Sequence, residues 1–123
     1  MTCGFLTATD FFLGGASFLA PRLVLKLFSP GRDPQGEALM RRTGALWLFF
    51  MAVQAWAALH PENPRALRAV ALLRLQEVPA DPVWLATGEG FGLFGKLSMA
   101  SAPLVNLCAG LYLWHTASRL ERG

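Results

Sequence analysis

Seven polar side chains interrupt otherwise apolar stretches of this chain, and they are the residues whose types could do chemistry: Asp10, Gln54, Arg68, Arg74, Glu77, Lys96 and Asn106. In apolar surroundings a carboxylate, a guanidinium or an amide costs kilocalories unless another polar group satisfies it. Such groups therefore seek one another. Gathered together they can lock helices, relay protons or line an internal polar pocket for a lipid, quinone or metabolite. Arg74 and Glu77 stand three residues apart, on one helical face, so they are expected to pair with each other or with neighbouring helices.

Catalytic patterns are missing. The chain has no Ser/His/Asp or Cys/His constellation, no paired carboxylates at catalytic spacing, no phosphate-cradling glycine loop followed by Lys and Ser or Thr, and no His-x-x-x-His pair. The glycine-rich stretch Gly88-Glu89-Gly90-Phe91-Gly92 follows no strand and reads as a flexible entry into the last helix. Cys3 and Cys108 lack metal-ligand spacing and read as free thiols. The sequence thus predicts no catalytic residue, no metal site and no cofactor.

The positioning elements must be found in a chain that is 54% hydrophobic and 15% charged over 123 residues, with a mean hydropathy of +0.39. One soluble core of that size does not hide so much apolar surface, so the excess must face lipid or partners. The length allows one domain, residues 1–123. The net charge is +3, but Lys and Arg sit at the ends of apolar runs, which suits lipid headgroups and argues against nucleic acid. No Lys or Arg precedes Thr9, so the first apolar run lacks the basic start of a secretory signal and is expected to stay in the mature protein.

Four helices are predicted, over about 5–28, 34–59, 65–78 and 83–116, the last with its clean apolar part from 91. Asp33 and Pro34 read as an N-cap followed by a first-turn proline. Residues 43–59 carry no charge and cover about 25 Å of hydrocarbon at the helical rise, the strongest spanning signal in the chain. Pro61 and Pro64 end that helix, and Pro79-Ala80-Asp81-Pro82 reads as a second break. The expected fold class is all-α: an integral membrane four-helix bundle with a short, charged third helix. Under that reading Arg22, Lys26, Arg32, Arg41, Arg42, Arg74 and Lys96 share one side, seven of the 11 basic residues. The bias places both termini outside the cytoplasm of a bacterial inner membrane, in a multi-pass topology.

Helical phase gives each polar residue a direction. Thr7, Asp10, Gly14, Ser17 and Pro21 share one face of the first helix; Thr43, Trp47, Gln54 and Ala58 share one of the second; Gly92, Lys96, Met99, Pro103, Asn106 and Gly110 share one of the last. Stripes of small and polar residues are what membrane helices turn toward each other, so all three should point inward. Depth then sorts Asp10, Gln54, Arg68 and Asn106 into an outer polar layer and Arg74, Glu77 and Lys96 into an inner one. Asp10 is expected to approach Arg68, and Glu77 to approach Lys96 or Arg41. Trp47, Trp84, Tyr112 and Trp114 read as interface anchors near helix ends.

The segments Ala20-Pro21-Arg22, Arg41-Arg42-x-Gly44-Ala45-Leu46-Trp47 and Leu73-Arg74-Leu75-Gln76-Glu77-Val78, in that order, resemble small bacterial four-helix membrane proteins of the DoxX-like and related uncharacterised families. That resemblance transfers no catalytic residue. It implies an accessory partner of a membrane enzyme, in keeping with the missing catalytic patterns. The leading expectation is accordingly a non-catalytic membrane subunit or scaffold, whose partners are the lipid bilayer and other membrane subunits or further copies of itself. The second is a small-molecule carrier with the seven polar residues lining its pocket. A cavity lined by them would favour the carrier, and a dry, salt-bridged interior the scaffold.

Overall fold

The computed structural model describes residues 1–31 and 34–123, and within them the chain is all-helical: α1 (Thr2–Leu19), α2 (Pro21–Phe28), α3 (Pro34–Leu59), α4 (Pro64–Thr87) and α5 (Leu93–Arg122), with no strand among the described residues. The expected cap at Asp33 and the place of Arg32 lie outside the described residues.

The first predicted helix is broken. Ala20 leaves helical geometry at φ −131°, ψ 56°, because the ring of Pro21 crowds the residue before it. Pro21 then opens α2, whose axis turns by 109° from that of α1. On this short helix Pro21, Val24 and Phe28 face inward, while Arg22, Leu23, Lys26 and Leu27 face outward. The third predicted helix, in contrast, does not end at residue 78. It runs on through Pro79 and Pro82 to Thr87. Each proline removes one donor from the helical ladder, yet its fixed φ is itself helical, and the chain continues. At the other end Asn63 caps α4, its Oδ1 accepting from the backbone N–H groups of Arg65 at 3.0 Å and Ala66 at 3.3 Å. The final helix extends past the predicted end at 116 to Arg122.

Packing proceeds by antiparallel pairs. α1 lies along α3, α4 lies along α5, and the pairs meet mainly where α3 touches α4. α1 and α5 barely meet. Glycine makes the α1/α3 seam: a Cβ on Gly44 would stand 2.6 Å from the Phe18 nitrogen and 2.8 Å from the Gly14 carbonyl oxygen. Two apolar clusters form the core. Cys3, Leu6, Ala57, Ala66, Leu67, Val70, Ala71, Leu113 and Ala117 fill the end that holds both termini, and Val24, Phe28, Met40 and Met99 fill the end closed by α2. The loop into α5 is clasped to α2, where the Gly92 N–H donates to the Phe28 carbonyl at 2.8 Å and the Ser29 hydroxyl donates to the Gly90 carbonyl at 2.9 Å. Gly90 carries φ +76°, a conformation that a side chain would strain.

Outside the core the surface is strongly apolar. Phe5, Phe11, Phe12, Leu13, Phe18 and Leu19 of α1 are all exposed, as are Leu97, Leu104, Val105 and Leu111 of α5. By length and hydropathy α5 is long and apolar enough to cross a membrane, and α1 with α2 qualifies only if the bent pair is counted as one broken span.

Candidate functional site

Between the two apolar clusters lies a polar layer to which four helices each contribute an inward side chain. Asp10 comes from α1, Gln54 from α3, Arg74 from α4 and Asn106 from α5, and all four are buried. The Arg74 guanidinium organises them. Its Nη2 donates to Asp10 Oδ2 at 2.5 Å and to Gln54 Oε1 at 2.8 Å, and its Nη1 donates to Asn106 Oδ1 at 3.4 Å. The Gln54 amide completes the ring by donating to Asp10 Oδ2 at 2.7 Å. Glu77, half-buried one turn along α4, accepts from Asn106 Nδ2 at 3.1 Å and lies 3.6 Å from Arg74 Nη1. A planar, permanently charged fork with five donors suits this task, because it can meet partners on several sides at once.

Five of the seven residues singled out from the sequence are thereby brought together, and two are not. Arg68 is half-exposed; it pairs with the Glu121 carboxylate and stacks 5.1 Å from the Trp114 ring centroid. The expected contact of Asp10 is therefore made by Arg74 in place of Arg68. Lys96 is exposed, and neither it nor Arg41 meets Glu77, whose partners are Arg74, Asn106 and the Trp47 indole N–H. Two polar layers were expected and one is found. The cause is the length of α4: with the helix continuing to Thr87, Arg74 falls at its middle, level with Asp10 and Asn106 at the middles of α1 and α5.

A groove leads to this layer. It has a volume of about 290 Å³ and runs between α1 and α5, the two helices that barely touch. Phe5, Leu13, Phe28, Phe94, Met99 and Val105 wall it, and Asp10, Trp47, Arg74, Glu77, Asp81 and Asn106 supply its polar and aromatic floor. Phe5, Leu13, Phe94 and Val105 are exposed, so the groove opens sideways onto the apolar surface. Trp47 and Asp81 join the floor in addition to the residues singled out from the sequence. Trp47 lies at the middle of α3 and not at a helix end. The sequence places Asp81 in a proline turn, whereas with the helix continued its spacing of four from Glu77 puts both carboxylates on one face.

The site's remaining features are restraints on its chemistry. The Nε of Arg74 and the hydroxyl of Ser17 are buried without a hydrogen-bond partner. Among the described residues no group of three or more His, Cys, Asp or Glu side chains converges as a metal site. What the arrangement can do is hold a molecule with an apolar body against the floor through charge and hydrogen bonds. No protein-family model, no curated protein and no solved structure matches this chain.

Proposed function

We propose that this chain is an integral membrane protein whose long helices stand in the bilayer, and that it binds a lipid-like small molecule in the groove between α1 and α5. The distribution of residue types supports the first part: most of the large apolar side chains point out, and Asp10, Ser17, Gln54, Arg74 and Asn106 point in. Water would reward the reverse arrangement, whereas a bilayer rewards this one. The basic residues Arg22, Lys26, Arg41 and Arg42 are exposed at the end closed by α2, which is read as the cytoplasmic end, with both termini on the far side. Arg74, at mid-depth, no longer counts toward that bias and narrows it.

The single observation that carries the binding reading is the groove itself, with apolar walls, a lateral opening and four of the predicted site residues in its floor. A scaffold needs no such opening. Purification in mild detergent from native membranes, followed by native mass spectrometry, tests the proposal. A lone particle carrying a lipid-like mass is the expected result, lost when Ala102→Trp at a lining position on α5 fills the groove. Stable co-purification with larger subunits, with the groove empty, would replace it by the accessory-subunit reading, for which the same exposed apolar surface would serve as the interface.

A further inference from the structure

The groove floor has an unequal charge count. Three carboxylates line it, those of Asp10, Glu77 and Asp81, against one guanidinium, that of Arg74. Arg74 is already committed to Asp10 at 2.5 Å, and its approach to Glu77 is looser, at 3.6 Å. Asp81 forms no ion pair among the described residues. Lys96, the cation of α5 nearest in sequence, does not line the groove. Carboxylates held in an apolar cleft either carry protons or sit beside a counter-cation. The groove lining is aromatic as well, with Phe28 and Phe94 packed edge-to-face at 5.5 Å and Trp47 hydrogen-bonded to Glu77, and aromatic rings lie well beside an organic cation.

We propose that the groove takes a lipophilic cation, an amine or onium group carried on an apolar body, with Glu77 and Asp81 as its counter-charges. This rests on the reading of the groove as a ligand site and adds the sign of the ligand's charge. The apolar body lies among Phe5, Leu13 and Val105, and the charged head descends to α4, where the two carboxylates stand four residues apart on one helical face. Arg74, Asn106 and Trp47 hold Glu77 in place, so the head meets a fixed acceptor.

The test is equilibrium dialysis of the full chain in non-ionic detergent against three probes of similar shape: tetraphenylphosphonium, tetraphenylborate and neutral triphenylphosphine oxide. The phosphonium is expected to bind about tenfold or more tighter than either of the others. Combining Glu77→Gln with Asp81→Asn is expected to erase the preference for the phosphonium over the borate, and an unchanged helical circular dichroism spectrum shows that the variant is folded. Equal or tighter binding of the borate or the oxide by the unaltered chain overturns the cation assignment and leaves the groove as a ligand site. If no probe binds, or if Ala102→Trp leaves the binding of all three unchanged, the groove reading fails and the cation assignment falls with it.

Discussion

Arg74 on α4 and Asp10 on α1 lie 64 residues apart in the chain and 2.5 Å apart in space, and their contact joins one helix pair to the other across the middle of the bundle. Both side chains are almost wholly buried, so removing one partner strands the other. Arg74→Met should therefore cost about 3 kcal/mol or more, and Asp10→Leu a comparable amount. Combining the two should recover part of that loss, because the buried Asp10–Arg74 pair is then removed whole while the half-buried Glu77 keeps Asn106 as a partner. Denaturant titration of the detergent-solubilised protein and its three variants forms the cycle. Additive losses would show that the two charges do not act as a pair.

How much of this was legible depended on whether a residue's depth or only its direction had to be known. Direction follows from the helical period alone, and on α1 it was read well: Asp10, Gly14 and Ser17 are buried and Thr7 is half-buried, while Pro21 of the same expected stripe belongs to α2. On α5 Met99, Asn106 and Gly110 turn inward as expected, but at the start of the helix Gly95 is the buried residue and its neighbour Lys96 points out. On α3 Gln54 turns inward, whereas Ala58 is exposed and Ala57 takes its place. Depth requires knowing where a helix ends, and proline signals it unevenly. Pro21 does end α1, and Pro61 and Pro64 bracket a real turn, but Pro79 and Pro82 lie inside α4. Nothing local distinguishes these cases, since a proline's fixed φ fits both a helix and its start. Misplacing that one end misassigned Arg74, split the polar layer in two and hid Asp81.

Arg68 provides the complementary prediction. Its ion pair with Glu121 and its stacking on Trp114 lie at the half-exposed end of the bundle, where water screens charge and competes for donors. Arg68→Ala should cost about 1 kcal/mol or less, several-fold less than Arg74→Met in the same titration. A loss as large as that of Arg74→Met would mean that Arg68, and not Arg74, meets the buried Asp10.

Small-residue packing between α1 and α3 makes a paired prediction. A Cβ at Gly44 meets Phe18 and Gly14 backbone atoms well inside contact distance, and backbone cannot swing aside as a side-chain tip can. Gly44→Ala should destabilise by about 1–3 kcal/mol through overpacking. Gly15, with nothing within 4 Å of its ideal Cβ, should accept alanine with no loss and a small gain in helix propensity. Thermal melts followed by circular dichroism compare the two. Equal behaviour would show that α1 and α3 are not in glycine-mediated contact.

The hold of α2 on the bundle can be tested at a residue outside it. A Cβ on Gly95 would run into the backbone of Phe28, at the point where the Phe28 carbonyl accepts the Gly92 N–H. Gly95→Leu must therefore push the end of α2 away from α5, breaking that hydrogen bond and unseating Phe28, which also walls the groove. Lys26 and Arg22 are exposed even in the intact protein, but a protease needs unfolded backbone and not merely a reachable side chain. An overpacking cost of about 1–3 kcal/mol borne by this one helix raises its open fraction, so tryptic cleavage after Lys26 should accelerate about tenfold. Gly4→Leu, at a site with open space around it, should leave the rate unchanged. An unchanged rate in Gly95→Leu would mean that α2 is held by α3 alone, through Arg22 and Glu37 at 2.9 Å, and that the contact with α5 contributes little to its position.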